Sequence, residues 1–248
     1  MSVGFRQLEK EQAMLRRSLL LLLVACCVSS IAKAADPSDY LPRRSGHSLY
    51  AGDMPAGVIA STRQAMSYRQ PVQPYFQPVR FHGPEGVRFS LAQYGTFGEG
   101  ESDLMAGLMI GKVYRFRVSG IPRAEGAELY PTIEMVDRTY PPPGLATTYP
   151  IPVNLDEDDI LAALEGRLVT RVIYLEDPQT ATPLAEGPNG PVAIDVPEYQ
   201  DPLEIADLRG RTVAILRIGS LAPPRAEVLK SQFFFGHPSW APIFKPNP

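Results

Sequence analysis

The chain has 248 residues, of which 44% are hydrophobic and 21% charged, and its formal net charge is −3. That balance provides no basic stripe for a nucleic-acid backbone, and two cysteines in the whole chain exclude a disulfide framework. Proline, at 26 residues, stands at about twice its usual share and favours turns, edges and irregular connections over long helices.

The first element is an export signal over residues 1–34. Arg16 and Arg17 precede an apolar run from Leu19 to Ile31, and Ala32, Lys33 and Ala34 form a small-x-small triplet. This is the order of basic region, short apolar region and cleavage site that a secretory signal needs. The run is shorter than the ~20 apolar residues of a membrane span. Two processing sites compete. Cleavage after Ala34 leaves a soluble chain that begins at Ala35 and has no cysteine. The tetrapeptide Leu23-Val24-Ala25-Cys26 instead resembles a lipoprotein signal with Cys26 as the acylated residue, and only that route gives the chain a membrane anchor. Loss of Met1–Ala34 removes five basic and two acidic residues, which shifts the net charge from −3 to −6.

Residues 35–78 are rich in Pro, Ser, Gly, Gln and Arg with no sustained period of 2 or 3.6, which predicts a largely disordered spacer whose second half, with its tyrosines and Phe76, lies on the domain surface. Residues 79–221 alternate as strands do. Val87, Phe89 and Leu91 share one face, and in Lys112–Val118 the side chains of Tyr114, Phe116 and Val118 oppose Arg115 and Arg117, which are expected on a solvated face. In Glu128–Val136 the missing donor of Pro131 predicts a strand that lies at an edge or begins late. Arg167–Leu175, Pro191–Val196 and Thr212–Ile218 complete six expected strands; the last alternates least and is expected to be central and covered on both faces.

Two short helices interrupt them. Asp156 is placed to cap the first, Glu157, Asp158 and Asp159 suit its positive end, and Gly166 ends it in the left-handed conformation. Asp201, Pro202, Glu204 and Gly210 mark the second. The expected fold is therefore mainly β, an antiparallel β-sandwich or partly open barrel with two short helices.

Sites for chemistry are few. The run Asp156–Asp159 lacks the oxygen-ligand spacing and central glycine of a calcium loop, so capping is its expected role. His47, His82 and His237 have no metal-ligand spacing, and no nucleophile elbow or phosphate loop is present. The expectation is no catalytic residue, no metal and no cofactor. Residues 222–248 form a Pro-rich tail whose Phe233, Phe234, Phe235, Trp240 and Phe244 either fold back over the domain or bind a protein or glycan partner.

The stretches KVYRFRVSGIP with EGAELYPTIEMV, VTRVIYLEDP and ADLRGRTVAILRIGS resemble an uncharacterised family of exported bacterial proteins with the pattern LYRLKLTNIP, EGLELYPTLEV, VTKVIYLPDP and AD.RGS.LAI.RLG. The resemblance spans Phe81 to Ser220 and implies one folded unit; it carries no activity and no site residues. The functional expectation is an exported cell-envelope protein with a non-catalytic structural or binding β-domain. The alternatives are an envelope hydrolase that uses acidic residues, and a carbohydrate- or partner-binding module that acts through the aromatic tail.

Overall fold

Alternating apolar residues in short strands assemble two sheets in the computed structural model, which describes residues 55–67, 74–177, 181, 193–197, 199–235 and 240–245. The expected signal segment with Cys26 and Ala34, the first part of the spacer, His47 and His237 lie outside these residues. All the described residues fall in the compact unit His47–Pro248.

In chain order the elements are α1 (Val58–Ser67), β1 (Phe76–His82), β2 (Arg88–Gln93), β3 (Thr96–Phe97), β4 (Leu104–Met109), β5 (Val113–Ser119), β6 (Thr132–Met135), β7 (Ile151–Asn154), α2 (Glu157–Leu164), β8 (Val169–Glu176), α3 (Pro202–Arg209), β9 (Gly210–Ile218), α4 (Glu227–Phe233) and β10 (Ile243–Phe244). One sheet has the order β10-β4-β1-β7 and the other β3-β2-β5-β6-β9-β8. Every pairing is antiparallel except β1 with β7. The fold is mainly β and sandwich-like, without a closed barrel.

The core lies where the two sheets meet. Phe81 of β1 packs at 4.8 Å, centroid to centroid, from Phe116 of β5 and at 5.9 Å from Phe89 of β2. Val79, Leu104, Leu108, Ile151 and Val153 join Ile133, Met135, Leu216 and Ile218 in the same buried cluster, which Ile160 and Ala163 of α2 extend. The outer face of β9 is covered as well: Ile215 packs with Ile59 and Ala60 of α1 and Leu203 of α3. The least alternating strand is thus covered on both faces, as its composition predicts.

Both expected helices form with their expected caps. The Asp156 carboxylate accepts from the Asp159 N–H at 2.7 Å, Asp201 accepts from Leu203 N–H at 2.9 Å, and Gly166 takes φ +91 just beyond α2. Pro131 delays β6 to Thr132, yet the strand lies between β5 and β9 rather than at an edge.

Four expectations need correction. The region read as spacer contains α1 and the start of β1, a strand that the first sheet encloses between β4 and β7. Pro78 sits opposite Gly107 of β4, one residue before pairing with β7 begins at Val79. Residues 193–196 of the expected strand Pro191–Val196 are not in a strand, and Ile194 is exposed, because alternation without a neighbouring ladder has nothing to pair with. Four helices rather than two occur among the described residues. Arg115, expected in solvent, is buried.

β10 is short, and Gly107 is what lets it dock. A Cβ at Gly107 would stand 2.8 Å from Pro242 Cγ, 3.0 Å from the Phe244 ring and 3.1 Å from Phe76 Cβ, and the Gly107 N–H donates to Pro242 O at 2.7 Å. Gly107→Ala is therefore expected to lift the tail strand at a cost of about 1–3 kcal/mol. Trp240 is the chain's only tryptophan, so a red-shifted emission reports the release directly, and an unchanged spectrum with unchanged stability would refute it.

Candidate functional site

Arg115 and Arg117 leave the outer face of β5, as the alternation requires, and the C-terminal segment covers them. Arg115 Nε donates to Phe233 O at 2.7 Å and Nη1 to Tyr130 O at 2.6 Å. Its guanidinium lies 4.1 Å from the Phe233 ring centroid and 5.1 Å from that of Phe235. Burial pushes its pKa down to about 10, still far above neutrality, so the cation persists and the carbonyl oxygens and rings stabilise it. The Phe233 carbonyl closes α4, where the helix dipole favours a cation. Phe235 follows at φ +59, a conformation that costs a non-glycine residue about 1–2 kcal/mol.

The rings continue outward as a layer. Phe233 meets Phe234 edge-on at 5.0 Å and Tyr130 at 5.9 Å, and Phe97 packs 5.4 Å from both Phe234 and Tyr130. Arg117 Nη2 donates to Gly98 O at 2.8 Å, and Nη1 lies 3.4 Å from Glu128, which accepts from the Tyr130 hydroxyl. Burial and the Glu128 carboxylate push Tyr130 up to about 12. Of the five tail aromatics, Phe233 is buried, Phe234, Phe235 and Phe244 are half-buried, and Trp240 is 46% exposed. Trp240 stands edge-on to Phe76 at 6.0 Å, next to the buried Ala241, whose N–H and C=O both bond the Gln93 side chain. The structure thus separates the candidates: Phe233 is core, and Trp240 offers its ring to solvent.

A second clamp holds α1. Glu134, fully buried on β6, accepts from Ala60 N–H in the first turn of α1 at 2.8 Å and from Arg217 Nη1 at 2.8 Å. A carboxylate at a helix start and a guanidinium at a helix end are complementary uses of the same dipole. On this outer face the charges of Arg115, Glu134 and Arg217 stand beside the apolar Ile215, and α1 and α4 contribute to their cover.

Two further groups of acidic residues bear on the candidate chemistry. Asp159 receives Arg171 Nε at 2.8 Å and Nη2 at 2.7 Å; Asp156 lies 3.2 Å from Nη2 and Asp195 3.4 Å from Nη1. Glu157 pairs with Arg123. Burial raises the Asp159 pKa, against the lowering by Arg171. A raised carboxyl pKa means that this group's contribution to stability is complete below the unfolded value and is lost as pH rises through the folded one. Arg171→Met removes the cation that offsets that loss. The variant is expected to be destabilised most at neutral pH, by about 2–4 kcal/mol, with the gap from the native protein narrowing below about pH 4. Urea midpoints from pH 3 to 7 test this; a gap that is constant across the range would contradict it.

An open groove of about 440 Å³ lies between β8, α3 and β9, lined by Leu175, Glu176, Asp177, Asp207, Leu208, Gly210 and Arg211. Asp207 accepts from Thr212 Oγ1 at 3.1 Å and lies 3.9 Å from Arg63. This is the place where the hydrolase alternative finds acids facing one opening. Among the described residues no group of three or more His, Cys, Asp or Glu is disposed to hold a metal, and no helix is long and apolar enough to cross a membrane. His82 ends β1, half-buried.

Sequence reasoning missed both clamps, because Arg115 reads as an ordinary outward position and neither Glu134 nor Arg217 carries a local signal of the partner that its covering segment supplies. These features define a two-sheet β-protein in which α1 and the C-terminal segment cover buried charges on the outer face of one sheet. No family model matches the chain, and no curated protein or solved structure matches it either.

Proposed function

We propose that the chain is an exported cell-envelope protein whose β-domain is a non-catalytic structural or binding module. The observation that carries this reading is the commitment of its interior charges. Arg115 is held by two carbonyl oxygens, Glu134 by Ala60 and Arg217, and Asp159 by a two-point contact with Arg171. Groups used in this way hold the scaffold together and are poorly placed to exchange protons with a substrate. Export rests on Arg16–Arg17, the apolar run and the Ala34 site, with Cys26 as the alternative processing point.

Within the tail, Trp240 is the residue that supports binding to a protein or glycan, since its ring is exposed on a backbone fixed by Gln93. Co-sedimentation with isolated cell envelopes tests the binding form of this reading. The native protein is expected to sediment saturably, and Trp240→Ala to weaken it by about tenfold while the fold persists. Failure of the native protein to sediment at any concentration would remove the binding form. The hydrolase alternative rests on Glu176, Asp177 and Asp207, and it requires turnover of an envelope polymer that Glu176→Gln abolishes.

A further inference from the structure

A buried polar side chain is costly unless it accomplishes something, and Gln77, the second residue of β1, is fully buried. Its amide oxygen accepts from both the Thr139 N–H at 2.8 Å and the Thr139 hydroxyl at 3.1 Å, and its amide nitrogen donates to Pro78 O at 3.0 Å. What Gln77 fastens is the segment that leaves β6. The same segment is held a second time: Asp137 pairs with Arg211 at 2.7 Å, Arg211 donates to Arg138 O at 3.0 Å, and the Val136 and Asp137 N–H groups both donate to Val213 O.

The segment so fixed displays an aromatic and cationic surface. The Arg138 guanidinium lies 4.7 Å from the Tyr75 ring centroid and 4.4 Å from that of Tyr140, and Arg211 lies 5.4 Å from Tyr140. Tyr140 is nevertheless 63% exposed. The Arg211 charge is matched by Asp137, whereas among the described residues no carboxylate pairs with Arg138. Stacking against rings occupies the faces of a guanidinium and leaves its edge of N–H donors, whose geometry fits a planar carboxylate at two points. Tyr140, exposed yet anchored against the Arg138 and Arg211 guanidinium groups, presents an apolar ring surface next to those donors.

We propose that Arg138 and Tyr140, positioned by Gln77, bind a carboxylate-bearing sugar: the acid group on the Arg138 edge and the sugar ring on Tyr140. An acidic sugar satisfies both halves of the surface, and a simple anion satisfies only one. The site is separate from Trp240 and does not depend on which processing route the chain follows.

The test is titration of the purified protein with trigalacturonate, followed by NMR, with the neutral maltotriose, inorganic phosphate and tetraglutamate as comparators. Trigalacturonate is expected to shift the Arg138 Nε–H and Tyr140 ring resonances of the native protein saturably, at least about tenfold more tightly than any comparator. Arg138→Lys keeps the charge but loses the fork and is expected to weaken binding about tenfold or more, as is Tyr140→Leu. Absence of shifts at these two residues overturns the proposal without recourse to any variant. Equal binding of phosphate or tetraglutamate, or an unaffected Arg138→Lys protein, overturns it as well.

Discussion

Phe233→Ala is expected to destabilise the domain by about 3–5 kcal/mol, a large share of the 5–15 kcal/mol that holds a typical domain together. Phe233 is 5% exposed, its ring covers the Arg115 guanidinium at 4.1 Å, and it meets Phe234 and Tyr130 edge-on. The substitution removes that apolar burial and admits water to a cation that is otherwise dry. Because the Phe233 carbonyl remains, the Arg115 Nε bond is retained in principle, and the loss reads the packing of the ring itself. Trp240→Ala, by contrast, truncates a side chain that is 46% exposed and is expected to cost about 1 kcal/mol or less. Urea denaturation of the two variants side by side separates core from surface within one tail. Equal costs for the two would mean that the tail packs differently.

The second large effect is at Glu134. Glu134→Leu removes the carboxylate shared by Arg217 and the Ala60 N–H, in a position with no access to water, and is expected to cost about 3–5 kcal/mol. The loss should concentrate at α1, since Ala60 N–H is one of the orphan donors of that helix and Glu134 is its acceptor. Amide exchange at Ala60 is therefore expected to rise by more than exchange in β9. Combining Glu134→Leu with Arg217→Met removes both charges, and recovery of a substantial part of the lost stability is expected, because buried pairs are harmed most by removal of one partner. A double variant as unstable as the sum of its parts would show that the pair is not the coupling element.

The two effects mark where the sequence could be read and where it could not. Strands whose apolar residues alternate with polar ones, such as β2 and β5, announce themselves through Phe89, Leu91, Tyr114 and Phe116, because alternation is a local property. Helices α2 and α3 carry their caps within a few residues, and Asp156 and Asp201 serve as expected. The strand β4, with Leu104, Met105, Ala106 and Leu108 all buried, offers no period to detect. β1 is obscured by Pro78, and its role depends on β4 and on β7, whose pairing residues lie far along the chain. Among the described side chains of α1, Ile59 and Ala60 enter the core, and its tie to Glu134 is a contact across 74 positions that no local pattern contains.

The candidate site follows the same rule. The aromatic tail is visible in the sequence as composition, while the division of labour between Phe233 and Trp240 depends on Arg115 and Gln93, 118 and 148 residues away from their tail partners. Arg115 illustrates the limit most clearly. Alternation assigns it correctly to the outer face, and only the folded chain shows that this face is itself covered. The pairing of Tyr75 with Arg138 likewise links the expected spacer to a loop after β6, and local sequence holds no trace of it.

Intact-mass measurement of the protein in soluble and membrane fractions of its own cells tests the proposed export most directly. The account predicts a processed chain that begins at Ala35 in the soluble fraction of the envelope; diacylglycerol on Cys26 in the membrane fraction would keep export and replace the free module with an anchored one. An unprocessed chain that retains Met1–Ala34 in the cytoplasm would contradict it.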